Sequence, residues 1–86
     1  MINGKENPVE WALLSYELDE VIEHLQEISN SITPESEIDE ADFKVDIGHV
    51  YAHINRIWNQ RNHTGEITDK QFEEFSKFPN DIKPIG

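Results

Sequence analysis

Along the first third of the chain, apolar residues recur at alternating intervals of three and four positions. The series consists of Trp11, Leu14, Leu18, Val21, Leu25 and Ile28. This spacing places every member on one side of an α-helix, whereas a strand would alternate every second residue. Asn7, Pro8 and Glu10 precede it as an N-cap, a first-turn proline and a capping-box acid. The pattern predicts a first helix over about residues 8–30.

A second series with the same spacing follows an acidic link. Its members are Phe43, Ile47, Val50, Ile54 and Ile57, and it predicts a second helix over about residues 38–62. Thr68 and Gln71 form a capping box that starts a short third helix, predicted over about residues 69–77. Pro79 follows, and we expect residues 79–86 to be extended.

Two long amphipathic helices joined by a short link predict an antiparallel hairpin, with the short C-terminal helix packed against it. A chain of 86 residues supports one domain, residues 1–86. The two series pair if Ile28 lies near Phe43 and Val21 lies near Val50, which places Trp11 beside Arg61. The predicted fold class is therefore all-α.

Several apolar residues lie outside both series: Leu13, Ile22, Val45, Tyr51 and Trp58. A lone hairpin would leave these side chains in water, and the third helix can cover only some of them. A second copy of the chain could cover the rest, which predicts a four-helix bundle formed as a homodimer.

The formal net charge is −11, which disfavours nucleic acids and anionic membranes because phosphate contacts need clustered Lys and Arg. No apolar run approaches the roughly 20 residues of a membrane span, and no apolar leader precedes the first helix. The absence of cysteine excludes thiolate metal sites and fits a reducing compartment. We therefore expect a cytoplasmic protein with no membrane partner.

The acidic residues are unevenly distributed. Residues 1–46 hold 13 acids, whereas residues 47–63 hold none and carry two arginines and three histidines. The arginines could bind carboxylate or phosphate beside an aromatic wall, which predicts a surface for a protein partner or small anionic ligand. The predicted contact residues are Trp11, Tyr51, Asn55, Arg56, Trp58, Asn59, Arg61 and Asn62. The alternative is a polar helix end in which Arg56 pairs with acids of the first helix.

A possible metal site overlaps this segment. Asp46, His49 and His53 are spaced i, i+3 and i+7 and so share one helical face. Imidazoles four residues apart can bind one ion, and a carboxylate could complete a site for Zn, Ni or Fe. Glu23 and His24 of the first helix lie near the same level of the hairpin, so the set could comprise four or five ligands. The alternative is a set of histidines that are solvated or hydrogen-bonded between helices.

No sequence pattern of a nucleophile with its base, and no glycine-rich phosphate loop, is present, so no catalytic residue is predicted. The sequence favours a non-enzymatic interaction or regulatory module that needs no cofactor and presents residues 47–63 to a partner. The alternative function is a small metal-binding helical protein, with hydrolytic or redox activity at Asp46, His49 and His53.

Overall fold

The computed structural model describes all residues 1–86 and contains three helices and no strand. Helix α1 spans Pro8–Ser31, α2 spans Glu40–Asn59 and α3 spans Asp69–Phe75. Helices α1 and α2 form a hairpin and α3 packs on α2, which confirms the predicted all-α architecture. None of the three helices combines the length and apolarity needed to cross a lipid bilayer.

The chain before α1 forms a small turn that ties it to the end of α2. The side-chain oxygen of Asn3 accepts bonds from the amides of Lys5 and Glu6, at 3.0 and 2.9 Å. The amide of Ile2 donates to the carbonyl oxygen of Arg61 at 2.8 Å, and the Ile2 side chain is buried. Asn7 precedes α1 as predicted, although its side chain makes no capping bond to the helix.

Helix α2 begins and ends inside its predicted bounds. Its N-cap is Asp39, whose carboxylate accepts from the amides of Ala41 and Asp42 at 2.8 and 3.3 Å. It ends at Asn59 rather than near residue 62, because tight turns replace the helix there. The amide of Arg61 bonds Trp58 and that of His63 bonds Gln60, at 3.2 and 2.9 Å.

Helix α3 has the predicted capping box, with both reciprocal bonds of Thr68 and Gln71 present. It ends at Phe75, two residues early, where Asn55 and Asn59 of α2 bond its last carbonyl groups. Asn55 Nδ2 donates to the backbone carbonyl oxygen of Ser76 at 2.9 Å. Asn59 Nδ2 donates to the oxygens of Phe75 and Lys77 at 2.9 and 3.0 Å. Seven residues are too few for a stable isolated helix, so this docking holds α3 in place.

The buried core is small and half of it is polar. Only six residues are buried, namely Ile2, Val21, Val50, His53, Asn55 and Arg56. Leu18 and Leu25 belong to the apolar series of α1, yet each is 46% exposed. The hairpin is therefore a single layer of two helices that uses only part of its apolar surface.

The two bonds from Asn59 predict a measurable contribution to stability. We expect Asn59→Ala to lower the free energy of unfolding by roughly 1–3 kcal/mol, because it leaves two carbonyl groups at the end of α3 without their donor. Asn62→Ala, at an exposed position, is the control and should change it by less than about 0.5 kcal/mol. Urea unfolding measures both, and equal effects would contradict the docking role of Asn59.

Candidate functional site

Three of the four histidines lie together between α1 and α2. His24 belongs to α1, whereas His49 and His53 lie one turn apart on α2. One ring nitrogen from each lies within 4.8 Å of the other two. The Nε2 atoms of His49 and His53 are 3.0 Å apart, and the His24 and His49 ring centroids are 4.2 Å apart. The antiparallel hairpin thus converts a sequence separation of 25 residues between His24 and His49 into direct contact.

Glu17 of α1 contacts this cluster at His53 and also pairs with Arg56. Its Oε1 accepts from Arg56 Nε at 2.7 Å, and its Oε2 pairs with Nδ1 of His53. A carboxylate can only accept, so we assign the proton of neutral His53 to Nδ1, which leaves the lone pair on Nε2 facing His49. Arg56 Nη2, which is 3.0 Å from the same Nδ1, also lies 3.4 Å from Glu17 Oε2 and can donate there.

Helix α3 and the residue after it cover the Glu17–Arg56 ion pair. Arg56 Nη1 donates to the Ser76 hydroxyl oxygen at 2.8 Å, and its guanidinium lies 4.4 Å from the centre of the Phe72 ring. The Arg56 and Glu17 side chains are only 7% and 14% exposed. Charges this far removed from water are stable only when paired.

The surroundings of His49 favour its uncharged form. Burial lowers the pKa of His49, and repulsion from the positive charge that His24, His53 or Arg56 can carry lowers it further, whereas Glu20 acts in the opposite direction. Nε2 of His24 is buried without a hydrogen-bond partner. It lies 3.4 Å from Glu20 Oε2, but the direction of that contact does not form a hydrogen bond. A buried nitrogen in this position is free to bind a ligand.

A solvent-open cavity of about 110 Å³ adjoins the cluster. Its lining residues are His24, Glu27, Ile28, Ser31, Asp46 and His49. The structure therefore brings the predicted ligands His49 and His53 together, and it adds His24 as the third nitrogen. Asp46 lines the cavity, but its carboxylate is not among the clustered ligand atoms, because the antiparallel register places His24 opposite the two histidines of α2.

Most residues predicted to contact a partner contact this chain itself. Asn55, Arg56 and Asn59 bond the C-terminal segment or Glu17, as described above. Arg61 lies over the Trp58 ring, 3.7 Å from its centroid. The Trp58 indole donates to Asp81 at 2.9 Å, and Tyr51 meets Phe78 edge-on with centroids 5.2 Å apart. Partner binding through this surface stays a prediction.

The two remaining residues of that predicted surface lie at its periphery. Asn62 is exposed. Trp11 is 42% exposed and packs closely on Gly4, where an added Cβ would stand 3.0 Å from Trp11 Cδ1.

Comparisons with protein-family models, curated proteins and solved structures found no match to this chain.

The buried ion pair predicts a large effect of neutralising Glu17. We expect Glu17→Gln to lower the free energy of unfolding by roughly 3 kcal/mol, because it leaves the buried Arg56 charge without its counter-ion. Glu23→Gln removes a charge from an exposed position of the same helix and should have little effect. Thermal or urea unfolding measures the difference, and equal effects of the two variants would rule out a stabilising role for the pair.

The lowered pKa of His49 predicts a pH dependence of stability. His49 is harder to protonate in the folded state than in the unfolded chain, where its pKa has the ordinary value of 6.5. The contribution of His49 is therefore present above that pH and is lost as pH falls from there toward the folded pKa. We expect His49→Gln to lose less stability than the original chain across this window in urea unfolding. Parallel pH profiles would contradict this, since the carboxylates titrate in both proteins.

Proposed function

We propose that this protein binds one divalent transition-metal ion, of the Zn(II) class, through His24, His49 and His53. The observation that carries the proposal is the convergence of three ring nitrogens within 4.8 Å of one another. Zinc–nitrogen bonds of about 2.0–2.1 Å in a tetrahedron separate the ligands by about 3.4 Å. Small rotations of the imidazoles are therefore enough to bring all three nitrogens to one ion.

The lowered pKa of His49 and the tautomer of His53 support the same function. A histidine binds metal only when the ligating nitrogen is neutral, and the lowered pKa of His49 favours that state. Glu17 accepts from Nδ1 of His53, which leaves Nε2 of His53 as the ligand. A carboxylate behind a ligating histidine is the usual way in which proteins orient the ring and raise its basicity.

The surrounding charge supports binding of a cation. Carboxylate oxygens of Glu20 and Glu27 lie 3.4 and 3.8 Å from the ring nitrogens of His24. If the ion is bound through Nε2 of His24, it also gives a partner to a buried nitrogen that makes no hydrogen bond. Three nitrogen ligands leave a fourth position, and the adjoining cavity beside Asp46 would give it access to water or a small anion.

An interaction module that uses residues 47–63 has less support from the geometry. Asn55 and Arg56 are buried, and Asn59 bonds the end of α3. A partner could reach these groups only by displacing the C-terminal segment. The metal function instead uses three side chains that already converge.

Metal binding is tested by isothermal titration of the untagged protein with Zn(II), and with Co(II) followed by visible absorption. We expect one ion per chain and a tetrahedral Co(II) spectrum. Substituting His24, His49 or His53 by Gln should each weaken binding by more than about tenfold, because each removes a ligand rather than a supporting group.

His63→Gln is the matched control, because His63 lies outside the cluster and contacts Phe75 and the Glu66 carbonyl group. It should bind metal as the original chain does. Asp46→Asn separates two ligand sets: it should weaken binding less than any of the three histidine substitutions. Failure to bind either ion, or equal losses from His63→Gln and His24→Gln, would refute the proposed site.

A further inference from the structure

One long side of the hairpin carries exposed apolar residues from both helices. We call this the apolar face, and its members are Trp11, Leu18, Ile22, Leu25, Phe43 and Ile54. Their exposed fractions range from 38% for Phe43 to 65% for Ile22. Helix α3 does not cover them, because it packs against Asn55, Arg56 and Asn59 on another side of α2.

Helix geometry places these residues on the same side of the two-helix layer. Leu18 directly follows Glu17, which contacts α2, and Ile54 directly follows His53, which contacts α1. One residue rotates the side-chain direction by about 100° about the helix axis. Because the helices are antiparallel, this rotation directs Leu18 of α1 and Ile54 of α2 toward the same side of the layer. Leu25, which directly follows His24, lies there for the same reason.

The apolar face lacks the charge that dominates the rest of the protein. The chain contains 18 acidic residues, but none of them lies among the residues on this side of the two helices. These are Trp11, Ser15, Leu18, Ile22, Leu25 and Ser29 of α1 and Phe43, Ile47, Val50 and Ile54 of α2. Apart from Lys83 of the C-terminal segment, which lines a cavity with Ile54 at one end, a charged partner would find no counter-ion there. A surface of the same uncharged, apolar kind is its best complement, and a second copy of this chain presents one.

The size of the face matches a stable interface. Helices of 24 and 20 residues give a face about 30 Å long, at 1.5 Å per residue, and two helices wide. Such a face supplies on the order of the 800 Å² per partner found in standard interfaces. The monomer also needs it, because only three apolar residues, Ile2, Val21 and Val50, are buried, which is a small core for 86 residues.

We propose that the apolar face binds the same face of a second copy, forming a four-helix bundle with two-fold symmetry. The histidine cluster lies at the α1–α2 contact and opens into the cavity lined by Glu27 and Asp46, away from the apolar face. Dimerisation therefore leaves the proposed metal site accessible, and it does not depend on metal.

Sedimentation equilibrium of the metal-free protein tests the dimer. At about 50 µM we expect twice the chain mass of 10.0 kDa, and a melting temperature that rises with protein concentration. Ile22→Glu places a charge on each side of the interface and should give a monomer. Val45→Glu is the matched control, since Val45 is equally apolar and 71% exposed but lies outside the apolar face, and it should remain a dimer.

Both variants are checked for helix content by circular dichroism, so that a loss of fold is not read as dissociation. The mass of the unmodified chain is decisive even if Ile22→Glu does not fold. A monomer with a concentration-independent melting temperature would overturn the proposal. An assembly that Ile22→Glu leaves intact, or that Val45→Glu dissociates equally, would also overturn it, because its interface would lie elsewhere.

Discussion

Glu17 is a buried carboxylate that joins the two long helices through two partners, Arg56 and His53. A buried charge without a counter-charge is strongly destabilising. A shift in the register of the hairpin that separated Glu17 from Arg56 would therefore lower the stability of the fold. The same carboxylate determines which nitrogen of His53 carries the proton. Helix α3 completes the arrangement by covering Arg56 with Phe72 and Ser76. The register of the hairpin, the docking of α3 and the orientation of His53 are thus linked through the Glu17–Arg56 ion pair.

The helices and the hairpin follow from periodicity, but the polar contact between them does not. Spacing of three and four identifies an apolar stripe; it does not say which edge of that stripe faces the partner helix. In the structure Glu17 and His24 take interhelical positions, and the adjacent Leu18 and Leu25 are half exposed. His49 and His53 could be paired from their spacing on one helix. His24 can be brought to them only through the register between the helices, whereas Asp46, on the same helix, lies beside the cluster but outside its set of ligand atoms.

Two surfaces of opposite character result from this offset. The polar edge of each stripe supplies the histidines and their supporting acids, and the apolar edge remains uncovered on another side of the layer. A chain with so small a core gains stability from anything that binds only its folded state, whether a metal ion or a second copy. A ligand bound at the histidine cluster could also provide a partner for Nε2 of His24, which is buried without a hydrogen bond. Neither contribution requires the other.

In the proposed site, three imidazoles and not Asp46 hold one metal ion. X-ray absorption at the zinc edge of the stoichiometrically loaded protein measures this most directly, because imidazole rings give a multiple-scattering signature that carboxylates lack. We expect about three histidine nitrogens at about 2.0 Å and one further light atom, with one histidine lost in His24→Gln and none lost in Asp46→Asn. A first shell dominated by oxygen, or a spectrum that His24→Gln does not change, would contradict the site.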